Sequence, residues 1–203
     1  MPEPDRLKLF EPDVIRGIAA RLRVQSLLTR FDERKVWAVF MFVNGFVTIG
    51  LLSLVALATG TPFVFPSLGP TAFLFFFDPR APSASPHHAV IGHAIGILCG
   101  YGALLLFGLE HAGSAMAVGV DLPRVLAAAL SLAATGALMI LLKAAHPPAG
   151  ATTLIVSLGA IARPLHLLVI ELALLLLVLQ AIAINRLAGL DYPLWRPRIA
   201  AKD

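Results

Sequence analysis

The residues best suited to chemistry lie in two proline- and glycine-rich segments that interrupt long apolar runs. The first, residues 66–72, reads PSLGPTA, and the second, residues 146–153, reads HPPAGATT. Proline breaks a helix interior, because it removes an N–H donor and clashes with the preceding turn, but the first turn of a helix accepts it. A helix that begins at such a break presents unpaired N–H groups and about half a positive charge. The two segments therefore predict binding of a small anion.

Hydroxyl, imidazole and glycine residues supply the rest of this candidate site. Hydroxyls can replace water around an anion, and glycine lets the backbone approach a ligand closely. We therefore predict a substrate path lined by Ser67, Gly69, Thr71, His146, Gly150, Thr152 and Thr153. A bulky residue at Gly150 should then block passage. The alternative is that both breaks serve helix packing, with threonine hydroxyls repairing the freed backbone groups.

Two other ionisable groups allow more than one role. Glu171 lies inside the last apolar run, where a carboxylate usually faces the protein interior or water. It either relays a proton that moves with the anion or pairs with Arg163 or a histidine. Lys143 and His146 share a helix face if the helix between them persists, which would make an anion-attracting vestibule. Snorkelling of Lys143 to the membrane surface is the alternative.

The remaining histidines favour packing over chemistry. His93 lies beside three glycines at four-residue spacing, and there we interpret it as a packing residue. These glycines, called the glycine seam below, are Gly92, Gly96 and Gly100. His87 and His88 lie in a Ser/Pro loop and are weak metal candidates. The histidines lack the paired spacing of a di-metal membrane enzyme, and no phosphate-binding loop occurs, so we expect no enzyme, no metal and no cofactor.

The composition indicates a multi-pass membrane protein. The 203 residues are 58% hydrophobic and 14% charged, whereas soluble domains are about a quarter charged. Spanning a hydrocarbon core of about 30 Å takes about 20 apolar residues. The four runs of that length are about Val36–Thr59, His88–Leu109, Pro123–Leu142 and Leu165–Ile184.

Two further apolar segments are too short to cross as complete helices. Thr71–Phe77 and Ala149–Ile161 reach roughly 10 and 20 Å at about 1.5 Å per residue. An extended, proline-rich lead-in at about 3.3 Å per residue brings each near the bilayer thickness. We therefore predict six membrane segments, two of them broken helices. Two re-entrant loops between four crossings are the competing interpretation.

The two broken segments also resemble each other. A shift of 81 residues, as from Pro66 to Pro147, lays Thr71 over Thr152 and the first of the six segments over the fourth, Pro123–Leu142. This order predicts an all-α fold built from two three-segment halves, about residues 36–109 and 123–187. Three crossings per half would make the second half inverted relative to the first.

The basic residues predict membrane orientation rather than nucleic-acid binding. Eight of the 16 basic residues precede the first span, and basic loops favour the cytoplasmic side. We expect a protein of the cell inner membrane with both chain ends in the cytoplasm. Residues 1–35 form a basic cytoplasmic or interfacial segment, in which Pro12–Phe31 is either an amphipathic helix or a disordered arm. Residues 188–203 form a cytoplasmic tail in which Tyr192 and Trp195 act as interfacial anchors.

The HPPAGAT run, together with PSLGPTA upstream and the Gly92-His93 pair, resembles the HPP family of integral membrane proteins. The resemblance covers about Val36 to Arg186 and implies a transmembrane domain over residues 36–187. Similar proteins in cyanobacteria and chloroplasts are associated with nitrite transport, so the resemblance implies nitrite as the anion. The alternative is a non-transporting membrane scaffold or sensor. The glycine seam fits an interface between subunits as well as one within a subunit, which allows a homo-oligomer.

Overall fold

The computed structural model describes residues 23–197, which contain helices and no strand. The helices are α1 (Val24–Leu28), α2 (Glu33–Thr59), α3 (Leu68–Phe77), α4 (Pro86–Leu106), α5 (Ala115–Val118), α6 (Leu122–Leu141), α7 (Ala149–Ser157) and α8 (Pro164–Leu187). Within this range, α2, α4, α6 and α8 are long and apolar enough to cross a membrane. They confirm the four predicted spans to within three residues at each end.

Polar caps and prolines set the starts of the long helices. The Asp32 side chain accepts a hydrogen bond from the Lys35 N–H, so α2 begins in the charged segment before the apolar run. Ser85 caps α4 and Asp121 caps α6 in the same way, each followed by a proline in the first turn. A side-chain oxygen at this position satisfies one of the unpaired N–H groups of the helix.

The first described residues of the chain pack against the segment that follows α8. The Val24 N–H donates to the Ala188 carbonyl at 2.9 Å, and Val24 packs with Leu190. Of the amphipathic segment predicted over Pro12–Phe31, residues 12–22 lie outside the described range, and α1 covers only five of the others. Tyr192 is not an interfacial anchor, because its ring is buried and its hydroxyl donates to the Ala84 carbonyl.

One face of the bundle, called the terminal face below, collects the starts of α2 and α4 and the ends of α6 and α8. Val24 of α1 bonds Ala188 just after α8, and Val36 in the first turn of α2 packs in one cluster with Val24 and Leu190, so the start of α2 lies at the end of α8. The Asn185 amide donates to the Phe75 carbonyl at 3.1 Å, which brings the last turns of α3 to the same face. The segment after α6 arrives there too, because His146 contacts Ser83 just before α4.

The opposite face, called the distal face below, collects the starts of α6 and α8 and the ends of α4 and α7. Arg124 in the first turn of α6 donates to the carbonyl of Ser157, the last residue of α7, at 3.2 Å. The Ala115 N–H, in the loop after α4, donates to the Leu158 carbonyl at 2.9 Å. The short helix α5 therefore packs over the end of α7, inside a loop for which the sequence predicted no helix.

The glycine seam on α4 brings α7 close to it. A Cβ atom added to Gly96 would lie 2.8 Å from the Ala149 carbonyl oxygen, and one added to Gly100 would lie 2.8 Å from the Thr153 carbonyl oxygen. Real Cβ atoms essentially never approach so closely. The seam therefore serves contacts within the chain, where it lets the two helix backbones meet.

Candidate functional site

The imidazole of His93 on α4 bridges the two short helices. Its Nε2 atom lies 2.9 Å from the Thr71 hydroxyl on α3, and its Nδ1 atom lies 2.7 Å from the Thr152 hydroxyl on α7. All three side chains are completely buried. The structure thus joins two of the predicted site residues through a histidine that the sequence analysis assigned to packing.

A second imidazole completes the arrangement. His146 Nε2 lies 3.2 Å from the same Thr71 hydroxyl, and its Nδ1 lies 2.7 Å from the Ser83 carbonyl oxygen. The ring centroids of His93 and His146 are 5.2 Å apart. We call Thr71, His93, His146 and Thr152 the imidazole–hydroxyl cluster.

The two threonines occupy equivalent places on their helices. Thr71 is the fourth residue of α3 and Thr152 is the fourth residue of α7. Each hydroxyl therefore ends the first turn of its helix. The N–H groups before Thr152 are not unpaired as predicted, because those of residues 149, 150 and 151 donate to the carbonyls three positions earlier at 3.0–3.1 Å. The residues before the two helices, Ser67 and Pro148, make no side-chain capping bond. The Ser67 hydroxyl oxygen is buried and has no hydrogen-bond partner among residues 23–197.

The donors and acceptors of the cluster form one consistent chain when both rings are neutral. The Ser83 carbonyl only accepts, so His146 carries its proton on Nδ1 and its Nε2 accepts from the Thr71 hydroxyl. That use of the Thr71 hydrogen leaves its oxygen to accept from His93 Nε2–H. His93 Nδ1 then accepts from the Thr152 hydroxyl. This arrangement leaves no ring nitrogen unpaired. Every hydrogen bond in it points the same way, from Thr152 through His93, Thr71 and His146 to the Ser83 carbonyl.

Thr153, also predicted to line the path, faces a different neighbour. Its hydroxyl lies 3.0 Å from the hydroxyl of Thr135 on α6 and donates to the Ala149 carbonyl at 3.2 Å. Thr135 in turn donates to the Ser131 carbonyl at 2.8 Å. These contacts join α7 to α6, beside the cluster and outside its hydrogen-bond chain.

The two glycines predicted at the ligand are not brought to the cluster. Gly69 is exposed, and a Cβ atom added there would meet nothing within 4 Å. Gly150 is half-buried and faces the end of the Leu132 side chain, 3.4 Å from an added Cβ. Close backbone approach occurs instead at the glycine seam, where an added Cβ on Gly92 would lie 2.8 Å from the His146 Cβ. A role of Gly69 and Gly150 beside a bound anion stays a prediction.

Glu171 and Lys143 lie apart from the hydrogen bonds of the cluster. Both carboxylate oxygens of Glu171 are buried and lack a hydrogen-bond partner in the described part of the chain, so the predicted pairing with Arg163 or a histidine does not occur there. The prediction that Lys143 and His146 share a helix face is also wrong, because α6 ends at Leu141. Lys143 is exposed and has a left-handed φ of 52°.

Arg124 is a buried cation that the sequence did not single out as a site residue. Its side chain is 2% exposed, and its guanidinium donates to the Ser157 carbonyl at 3.2 Å and to the Gly113 carbonyl at 2.8 Å. These bonds satisfy the end of α7, where a positive charge also complements the helix dipole. His93 was detectable in principle, since a polar residue amid an apolar span usually faces the protein interior.

The fold and the site define an all-helical, multi-pass membrane protein with a polar cluster enclosed in its core. The family described as "HPP, transmembrane region" matches residues 32–193, and the chain belongs to that family. The predicted family is therefore confirmed. Searches of curated proteins and of solved structures found no match.

Proposed function

We propose that this protein passes a small inorganic anion across the membrane, along a path that runs between α3 and α7 at the imidazole–hydroxyl cluster. One observation carries the proposal: the first turns of two short helices meet at a single buried imidazole. Nitrite is the first anion to test, because the resemblance to the HPP family implies it. Chloride, nitrate and formate are the competitors of similar size and charge.

The cluster has the physical properties that a dehydrated anion needs. An anion that leaves water loses its hydration and must find donors and positive potential in the protein. The first turns of α3 and α7 bring the positive ends of two helix dipoles to the cluster. The N–H groups of Ala149, Gly150 and Ala151 already donate to preceding carbonyls, so the hydroxyls are the donors that an anion would use. The unpaired Ser67 hydroxyl is a further donor beside Thr71. No carboxylate is hydrogen-bonded to the four cluster residues, so the described contacts bring no repelling charge.

The helix ends support six membrane crossings in two inverted halves. Helix α2 runs from the terminal face, and α4 begins again at that face, so the segment of residues 60–85 has to return across the membrane through α3. The segment of residues 142–163 crosses in the other direction through α7, between the end of α6 at the terminal face and the start of α8 at the distal face. The two short helices then point away from each other, with their N-termini meeting at His93.

The basic residues support a cytoplasmic terminal face in the cell inner membrane. Of the ten Lys and Arg residues among positions 23–197, two lie toward the distal face, Arg124 and Arg163. The other eight lie in segments that reach the terminal face. Cytoplasmic loops carry such an excess, which favours a cytoplasmic location for both chain ends.

Labelling of single cysteines tests the crossings. With Cys99 replaced by alanine, we expect Arg80→Cys and Arg196→Cys to react with a membrane-impermeant maleimide from one side and Arg163→Cys from the other. All three side chains are exposed. Reaction of Arg80→Cys from the side opposite Arg196→Cys would contradict six crossings and favour the re-entrant loops.

Nitrite flux into proteoliposomes tests the function. Thr71→Val and Thr152→Val each remove one cluster hydroxyl with little change of shape. We expect each to slow protein-dependent nitrite entry about tenfold or more, the effect of losing a hydrogen bond to a charged group. Thr48→Val is the matched control, because Thr48 is equally buried but its hydroxyl bonds only the backbone of its own helix.

The same assay decides between transport and the alternative role. No protein-dependent flux of nitrite, nitrate, chloride or formate from folded protein would overturn the proposal and favour a scaffold or sensor. An equal loss in Thr48→Val and in the two cluster variants would also count against it, because the loss would then follow from any buried hydroxyl.

A further inference from the structure

We propose that the anion crosses together with a single proton, and that His93 holds this proton while the anion occupies the first turn of α7. The inference rests on the transport function proposed above. It assigns the coupling to the imidazole–hydroxyl cluster rather than to Glu171, which has no hydrogen-bond contact with the cluster. The substrate class is a small monovalent anion with hydrogen-bond acceptor atoms.

The bond between Thr152 and His93 reverses when the His93 ring gains a proton. In the neutral chain the Thr152 hydroxyl donates to His93 Nδ1 at 2.7 Å, so its hydrogen is not available to a ligand. A proton added to Nδ1 turns that nitrogen into a donor, and the Thr152 oxygen then has to accept. Its hydrogen must rotate away from the ring. Protonation thus frees a hydroxyl donor at the first turn of α7 and adds a positive charge to the ring beside it.

A proton on His146 has a different consequence. It would make Nε2 a donor to the Thr71 oxygen, and the Thr71 hydrogen would then turn to the carbonyl of Ser67, the residue before α3, 3.2 Å away. This hydrogen has an acceptor inside the protein and is not released to a ligand. The geometry therefore singles out His93 as the ring whose protonation creates an anion site.

The spacing of the two rings limits the charge to one proton. Their centroids are 5.2 Å apart in a fully buried setting, where two like charges repel strongly. Helices α3 and α7 contribute only hydroxyls to the cluster. The titratable or charged groups on the neighbouring segments are His88, which interacts with His146, the exposed Lys143, and Glu171 on α8.

The proton accompanies the anion because it neutralises the anion's charge in the protein core. A lone monovalent anion in this core would have only partial charges from helix ends to compensate it, and burying an unpaired charge is costly. A proton taken from water on one side and released to water on the other makes the complex neutral. The transport cycle then moves no net charge, and a membrane potential does not drive it.

Nitrogen NMR of histidine-labelled protein tests the hydrogen-bond chain without transport. We expect the neutral protein to hold His93 as the Nε2–H tautomer and His146 as the Nδ1–H tautomer. Single His93→Gln and His146→Gln variants assign the signals. Addition of nitrite should convert the His93 signal to that of the doubly protonated ring. A neutral His93 at saturating nitrite, or the opposite tautomers in its absence, would overturn the inference.

Flux measurements in proteoliposomes test the coupling itself. With the potential clamped by potassium and valinomycin, an inward nitrite gradient should acidify an internal pH dye by a single proton per nitrite, after subtraction of the leak in protein-free vesicles. Changing the clamped potential should leave the rate unchanged. His93→Gln keeps two polar ends but does not titrate, and we expect it to lose about tenfold or more of the nitrite flux and the linked acidification. His111→Gln, in an exposed loop, is the matched control and should behave as wild type.

The outcomes separate the two proposals. No protein-dependent flux of any tested anion overturns the transport function, and the coupling with it. Flux that depends on the clamped potential, carries no proton and survives in His93→Gln leaves the transport function standing and overturns the proton coupling alone.

Discussion

The two short helices begin alike and are held differently. A shift of 81 residues lays Leu68, the first residue of α3, on Ala149, the first residue of α7. Each helix presents a threonine from its fourth position to His93. Helix α7 is enclosed by α4 and α6, whereas α3 packs against α2 and α8 and leaves part of its surface uncovered. Its exposed residues are Gly69, Pro70, Phe73 and Phe77.

This difference indicates that one half of the site is fixed and the other is free to adjust. A helix of nine or ten residues is marginal by itself, so its stability comes from its neighbours. The glycine seam brings the α7 backbone into van der Waals contact with α4, which leaves little room for movement. Helix α3 has open space around Gly69 instead. We therefore expect α3 to move when an anion passes, against a stationary α7.

The largest difference between the two helices should appear when a methyl group is added beside each of them. Gly96→Ala puts a Cβ 2.8 Å from the Ala149 carbonyl oxygen and 2.9 Å from the Thr153 hydroxyl, so the α7 backbone has to shift. We expect a loss of about 1–3 kcal/mol in the free energy of unfolding, the usual cost of overpacking. Thermal unfolding in detergent measures it.

Gly69→Ala is the matched control on α3, where the added Cβ meets nothing within 4 Å. It should leave stability unchanged or slightly raised, because alanine favours the helix more than glycine does. Equal destabilisation by both variants would remove the distinction between a fixed and an adjustable helix.

A smaller difference between the two helices should come from the side chains that bond their far ends. Arg124→Met removes charge-assisted hydrogen bonds to Ser157, at the end of α7, and to Gly113. Asn185→Leu removes a neutral bond to Phe75 near the end of α3, where the residue four positions on is Pro79 and has no N–H to offer. We expect losses of about 1.5–3 kcal/mol for Arg124→Met and about 1 kcal/mol for Asn185→Leu.

The same unfolding assay ranks the two end-bonding variants. A greater loss from Asn185→Leu than from Arg124→Met would reverse the comparison and make α3 the more firmly held helix.

The sequence was sufficient for the long helices and for the presence of the short ones, because hydropathy and proline act locally. The start of α7 at Ala149 was predicted correctly. Helix α3 begins at Leu68, three residues before the predicted Thr71. The reason is that proline is accepted within the first turn of a helix, so Pro70 lies inside α3 rather than before it.

The site was less predictable, because its bonds join distant parts of the chain. His93 and Thr152 are 59 positions apart, and Arg124 and Ser157 are 33 apart. The sequence identified the three glycines of the seam but not α7, the helix that packs against them. Close backbone approach was therefore predicted at Gly69 and Gly150 instead. Threonine, serine and histidine near a break can serve packing or a ligand equally well until their partners are known.

The long separation of these partners bears on how the chain enters the bilayer during synthesis. Thr71 is made 22 residues before His93 and 75 residues before His146, yet both rings bond its hydroxyl. Until those residues follow, the proline-broken backbone before Thr71 has no neighbouring helix to cover it, and irregular backbone exposed to lipid is not tolerated. It therefore has to wait in water or beside the insertion machinery. Its final placement comes only after the ribosome has made His146, when more than two thirds of the 203 residues exist.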